Sequence, residues 1–469
     1  MTKKEFKYRM ERGLGSCIVE LKRTPDKARY KDIIIWGCKH VLAYDAQCEG
    51  TRSRYLYQMI ELYEDWTDFY EVAAARLKIC CSMPGWEFVQ YAELCAWMAG
   101  GGYEPAGQRL DAVYAHLLEV LAQRKNCSKG GVFPERNNME NLCIVKVIGQ
   151  HEAPGAARQE YIRIVNDLGV LFQKNERLYS YEYFSDFQKE CEVYCGKTEI
   201  HRMLNMYGDR EGVAAYRKSM EAARNKRYAK PRSRKSFSAD AVYERLCRGE
   251  EADAGRNNSL YVAQIVQNQG GQEELEKLAG LYAKEQEVSV RTELLRLLAN
   301  RYGAAVVNVD CLIRDARSES EELRRCACLA LGYIRSEEVH AFALELLAGD
   351  REEEKTYAVN MLLRNYKAED KELVIELVKA VPISRDRDEW HSIFRLVMDV
   401  LADRSVKKPP RELLPYMYEN TLCSRCREYI VLEMGKRQML TAELLEECRY
   451  DCNRDIRRYA EERIAGRNE

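Results

Sequence analysis

The stretch DAQCEGTRSR, residues 45–54, is the densest polar cluster in an otherwise apolar neighbourhood of this sequence. Two carboxylates, Asp45 and Glu49, lie near Arg52 and Arg54. Paired carboxylates held beside a guanidinium can take split pKa values and work as acid and base. The default reading of the same residues is a buried ion-pair network between two helices. Gly50 favours a helix break between the acids and Arg52. Asp45, Glu49 and Arg52 are therefore the candidate catalytic residues, with a structural role set against the chemical one.

Thiols form a second constellation. Cys423-x-x-Cys426 followed by Cys448-x-x-x-Cys452 superficially resembles four zinc thiolates. Zinc ribbons aim their sulfurs with turns, yet Cys426 falls at a helix start, no glycine follows it, and Cys448 and Cys452 have helical spacing. Cys191, Cys195 and His201 make a weaker set with no fourth ligand. No cofactor is expected.

Cations form the third. Arg217–Lys235 holds nine Lys or Arg against one acid, Glu221, with Tyr216, Tyr228 and Phe237 interleaved. Cations spaced along a phosphate ribbon, with aromatics to stack on bases, are what nucleic acid requires. Arg224, Lys226, Arg227, Lys230, Arg232, Arg234 and Lys235 are the candidates for that role. A solvated basic junction is the plainer reading.

The elements that must position these groups are helices. Taking Arg324 in LRRCACLALG as a mark, equivalent positions are Arg291, Lys355, His391, Arg427 and Arg457, at steps of 33, 31, 36, 36 and 30 residues. Apolar or small residues follow at helical spacing: Leu294 and Leu298, Ala327 and Leu331, Ala358 and Leu362, Phe394 and Met398, Ile430 and Met434. Second amphipathic segments lie between, at Ala304–Arg314, Glu337–Leu347, Lys371–Val381, Arg411–Tyr418 and Thr441–Arg449. One such hairpin cannot bury its apolar face alone, so neighbours must stack on it. The six marks form a row of cations that could grip phosphates or hold adjacent repeats together; the second, mainly structural role is expected.

These residues resemble HEAT repeats over roughly 240–466. Asp350 before Lys355 and Asp451 before Arg457 fit that family's acidic turn ahead of a basic helix start, while His391 departs from it. The resemblance implies an all-α, armadillo-like solenoid, an α-α superhelix of antiparallel helical hairpins, commonly a scaffold for protein partners and sometimes for nucleic acid. HEAT-like DNA glycosylases use an aromatic, basic surface with an acid. Trp36, Trp66, Trp86 and Trp97 with Asp45, Asp65 and Asp68 could be placed in that image, but no motif fixes them. Di-iron hydroxylases of this type need several His-Glu pairs, and one is present, His151-Glu152.

Bulk properties agree with a helical repeat protein. Ten prolines in 469 residues and 32% charged residues favour helix. Residues 1–236 carry 38 Lys and Arg against 31 Asp and Glu, a balance of +7; residues 237–469 carry 36 against 44, a balance of −8. The expected organisation is an irregular helical N-terminal domain (1–223), a basic junction (224–238) and a HEAT-like domain (239–469). Eighteen cysteines scattered singly, a start without a leader-like apolar run and no membrane-length apolar segment point to a reducing cytoplasm. The function expected is a non-enzymatic scaffold presenting a concave surface to a protein partner. The alternative is nucleic-acid binding, with or without glycosylase-like chemistry.

Overall fold

A computed structural model describes residues 1–80, 85–124, 134–150, 154–227, 238–248, 272–386 and 388–466, with backbone alone at 79, 80, 226, 227 and 352. Among these residues the regular structure is all helical: twenty-six α-helices and four short 3-10 turns, with no β-strand. None of the helices is long and apolar enough to cross a membrane. Contacts divide the chain into two units, Met1–Pro231 with Thr421–Glu469, and Arg232–Asn420. The repeat register reads on past residue 420, but the contacts of the last three helices belong with the N-terminal segment.

In the Arg232–Asn420 unit, helices Val288–Leu298, Glu321–Leu331, Glu352–Arg364 and Glu389–Ala402 each pack on the next. Val309–Ala316, Glu337–Ala348 and Lys371–Ala380 come between them along the chain. Side-chain caps start them: Asn308 accepts from the Cys311 N–H, Ser320 from Leu323 and Ser336 from Val339. Each cap satisfies an otherwise orphaned helix donor. Most positions with helical spacing are buried: Leu294, Leu298, Ala327, Leu331, Ala358, Leu362 and Phe394 all have at most 1% exposure, while Met398 is half-buried. Trp390 is also fully buried, its indole N–H donating to the Ser384 carbonyl at 2.8 Å.

In the other unit the closest helix pair is Pro154–Lys174 with Glu211–Arg227. These two approach backbone to backbone. A Cβ on Gly169 would overlap the Gly212 carbonyl, and one on Gly212 would overlap the Asn166 carbonyl. Rings close the space on either side: Phe172 stacks on Tyr216 at 5.7 Å, and Tyr161 on Phe187 at 5.5 Å. The Tyr161 and Tyr216 hydroxyls both donate to Gln188 Oε1, so a buried amide is satisfied within the core.

The helix crossing yields a direct expectation. Gly169→Ala adds one methyl against rigid backbone and should destabilise the protein by about 1–3 kcal/mol, the range for overpacking a core. Gly155→Ala, where nothing lies within reach of the new methyl, should be neutral or slightly stabilising. Urea unfolding of the two variants checks the contrast.

Candidate functional site

The polar cluster at 45–54 is built from two short helices separated by a kink. Asp45 caps Ala46–Glu49, its Oδ1 accepting from the Gln47 and Cys48 N–H groups. Gly50 then takes φ 73°, a left-handed conformation suited to glycine, and Ser53–Ile60 begins after Arg52. This break turns Glu49 and Arg52 towards each other. Arg52 Nη2 meets Glu49 Oε2 at 3.1 Å, with both side chains at most 2% exposed.

The cluster's other partners come from both ends of the chain. Arg52 Nη2 also donates to the Leu422 carbonyl at 2.6 Å, and Nη1 to the Glu11 carbonyl at 2.6 Å. Glu49 Oε2 accepts the Ser424 N–H at 3.0 Å, and Oε1 accepts the Asp45 N–H at 2.9 Å. Burial opposes ionisation of Glu49, but Arg52 and these backbone donors outweigh it and hold the carboxyl below the usual range. Both oxygens of Glu49 are committed to these contacts.

A second buried pair lies beside the first. Arg427 and Asp451 are fully buried, with Nε to Oδ2 at 2.7 Å and Nη2 to Oδ1 at 3.0 Å, a bidentate fork. Arg427 Nη2 also donates to Cys452 Sγ at 3.2 Å. Burial pushes the Cys452 thiol up, and nearby Arg52 offsets this only in part. Gly13, at φ 73°, is where the two chain ends touch: its carbonyl accepts the Cys452 N–H at 2.9 Å, and a Cβ there would overlap Cys452 Sγ. Gly15 sits equally close to the Glu447 carbonyl.

Of the four candidate zinc thiols, Cys423 and Cys426 lie together, their sulfurs within 4.8 Å of each other, while Cys448 and Cys452 have other surroundings. Cys423 caps Ser424–Lys436, its sulfur accepting from the Cys426 N–H. Cys448 ends the helix Ala442–Cys448 in full burial. Cys452 lies beyond that helix in the turn, so Cys448 and Cys452 do not share a helix face. Among the described residues, no three of Cys423, Cys426, Cys448 and Cys452 gather within ligand reach of one another.

Four of the six register cations share a geometry. Arg291, Arg324, Arg427 and Arg457 each donate Nη1 to the carbonyl six residues earlier: Glu285 at 2.9 Å, Ser318 at 2.9 Å, Thr421 at 3.4 Å and Asp451 at 2.6 Å. Three of them also pair with an acid in a following element. Arg291 meets Asp315 at 2.7 Å, Arg324 meets Glu354 at 2.9 Å and Arg427 meets Asp451. Arg291, Arg427 and Arg457 are at most 8% exposed. Lys355 and His391 are half-buried, and His391 lies against Trp390 with ring centres 5.4 Å apart. The Arg-to-Asp interval of 24 residues recurs at Arg291–Asp315 and Arg427–Asp451, a signal present in the sequence that reading by helical spacing alone passes over.

Of the basic junction, Arg224 is exposed on the helix Glu211–Arg227. The side chains of Lys226 and Arg227, and all of Lys230, Arg232, Arg234 and Lys235, lie outside the described residues.

An open groove of about 660 Å³ in the Arg232–Asn420 unit was not foreseen from sequence. It runs past three successive turns, touching residues 335–340, 363–369 and 396–407. His340 and Asp370 are both buried, with Nε2 to Oδ2 at 3.0 Å, and Asp370 Oδ2 also accepts the Lys367 N–H. Lys367 reaches Glu337 at 2.6 Å. Groups of both signs therefore surround the opening, several of them already paired.

No known family model matches this sequence, and no curated protein matches it.

Two measurements test the buried network. Arg427→Met or Asp451→Ala alone leaves an unmatched buried charge and should cost about 3–5 kcal/mol in unfolding experiments. The double change Arg427→Met with Asp451→Leu should cost less than the sum of the singles. The pH dependence follows from Glu49. Its folded pKa is depressed, so its stabilisation is present above its unfolded value of about 4.3 and is lost as pH falls through the folded value. The stability advantage of wild type over Glu49→Gln should therefore be full at pH 7 and shrink progressively below about pH 4.

Proposed function

We propose that this chain is a HEAT- or armadillo-like α-solenoid acting as a non-enzymatic scaffold for a protein partner, in a reducing cytoplasm. The observation that carries this reading is how the register cations are used. Four arginines at repeat-equivalent positions spend their donors on the carbonyl six residues back, and three add an acid from a following element. Such a joint, recurring at repeat spacing, supports stacked hairpins. It also takes these cations out of the set able to neutralise phosphates, which favours a protein partner over nucleic acid.

Other features support the same reading. The carboxylates of the 45–54 cluster are committed to capping and to an ion pair, so they favour structure over acid–base catalysis. The groove crosses several hairpins and carries both signs of charge, as a protein surface would require. Nine of the fifteen described free cysteines are buried as small core residues, which suits a reducing compartment. The nucleic-acid alternative rests on junction cations at 224–235.

The test is a comparison of captures. The full chain and a variant reversed at the groove, Arg335→Glu with Lys407→Glu, are immobilised and exposed to nuclease-treated lysate of the source cells. The scaffold reading expects a protein retained in near-stoichiometric amount by wild type and lost from the variant. Retention that disappears with nuclease, or that is equal for the two proteins, would overturn it.

A further inference from the structure

We infer that Cys423 and Cys426 form a reactive dithiol, which closes to a disulfide by exchange with a small disulfide such as oxidised glutathione. The observation behind this is how the helix Ser424–Lys436 begins. Cys423 is its N-cap residue, and Cys426 is the third residue inside it. An N-cap side chain turns back to accept an N–H of the first turn, and here Cys423 Sγ accepts from the Cys426 N–H at 3.5 Å. That bond carries the first sulfur over the residue that bears the second. The two sulfurs lie within 4.8 Å of each other, and both are thiols.

The backbone around the pair is fixed. The Leu422 carbonyl accepts from Arg52 at 2.6 Å, the Ser424 N–H donates to Glu49 at 3.0 Å, and the Cys423 carbonyl accepts the Arg427 N–H at 3.1 Å. Two thiols already held in place lose little further freedom on closing, so internal attack outruns a second encounter with a solute. Other closely spaced cysteines lack this placement. Cys191 and Cys195 stand four apart within the helix Ser185–Cys195, a spacing that leaves Cβ atoms about 5–6 Å from each other. A disulfide needs about 3.5–4.5 Å between them. Cys326 and Cys328 stand two apart within Glu321–Leu331, where helical side chains do not face each other.

Burial assigns the order of the chemistry. Cys423 is 5% exposed, whereas Cys426 is half-buried and the more open of the two. The Cys426 thiolate, its proton given to water, attacks one sulfur of the incoming disulfide RS–SR. The RS–SR bond breaks, a Cys426–SR bond forms, and RS⁻ leaves to take up a proton as RSH. Helix N-termini favour thiolate over thiol, and the Cys423 sulfur, standing at one, then attacks the Cys426 sulfur. The Cys423–Cys426 bond forms, the Cys426–SR bond breaks, and a second RSH departs with the proton of Cys423. The cysteines are oxidised by two electrons, and the incoming disulfide is reduced by the same two. Cys48 is an exposed cysteine close to this turn, its carbonyl accepting Arg425 Nε at 3.3 Å. Asp45 pushes the Cys48 thiol up by hydrogen bond and charge, which leaves less of it as the attacking thiolate.

The experiment uses the full chain, reduced and then equilibrated without oxygen in mixtures of reduced and oxidised glutathione. Acid quenching, alkylation with N-ethylmaleimide in denaturant and cleavage after glutamate release residues 420–428, which hold both cysteines. Mass spectrometry should show this peptide passing from two maleimide groups to none as oxidised glutathione rises to millimolar levels. Forms carrying one maleimide or one glutathione should stay below about a tenth of the total, because closure is intramolecular. Cys423→Ser keeps a good N-cap, so the helix start stays and Cys426 should hold one glutathione as a lasting mixed disulfide. Cys426→Ser should leave Cys423 unmodified over the same range, and Cys48→Ser should close as wild type does. The inference is overturned if wild type keeps both maleimide groups throughout, or if glutathione accumulates on Cys426 in place of closure. A bridge from Cys48 to either cysteine overturns it too, as does an unmodified Cys426 in the Cys423→Ser protein or a glutathione on Cys423 in Cys426→Ser. The scaffold reading stands or falls separately, since none of these outcomes involves a protein partner.

Discussion

One contact recurs at four helix starts, those of Arg291, Arg324, Arg427 and Arg457: the arginine guanidinium reaches back to the carbonyl six residues before it. The end of a helix leaves carbonyls without intrahelical donors, and a turn buried between hairpins cannot give them to water. A guanidinium supplies several donors in one plane, enough to close the turn and still reach an acid in a following element. The contact thus fixes the turn and joins it to its neighbour at the same time. Lysine, with a single ammonium and no planar fork, would not do both. Arg291 and Arg427 are buried with their acids, so losing the acid leaves a buried charge, and these two pairs matter more to the fold than surface ion pairs would.

The same chemistry closes the first unit. Arg52 and Arg427 are held by carbonyls and carboxylates drawn from both ends of the chain. Packing them requires backbone to approach backbone without side chains between. Gly13 and Gly15 provide that approach, one against Cys452 and the other against the Glu447 carbonyl. Tyr55 completes the seam by donating to the Leu14 carbonyl at 2.7 Å. Residues separated by about the whole length of the sequence therefore share one polar core, and the polar cluster at 45–54 is dense because it serves two segments rather than one.

Local order explains what sequence could disclose. The register from Arg291 to Arg457 was readable because a buried face repeats every 3.6 residues, and Asn308, Ser320 and Ser336 are recognisable caps at the helix starts. The ion-pair alternative for Glu49 and Arg52 was also within reach, since Gly50 announces the kink that brings them together. Their remaining partners were not. Ser424 and Leu422 lie more than 360 residues away, and no local pattern encodes which distant backbone group will meet a side chain. The division at residue 420 was hidden for a related reason. Helices after it keep the repeat spacing, while their surfaces, through Gly13 and Gly15, match the N-terminal segment.

Arg364 and Arg324 show where sequence reasoning stops and geometry takes over. Both are arginines on long repeat helices, and neither differs in any way that composition reveals. Arg324 stands at a helix start, where the preceding turn and Glu354 satisfy it. Arg364 stands at a helix end, where a cation is favoured by the helix dipole but finds no carboxylate. Position along the helix therefore decides which partners a guanidinium can reach.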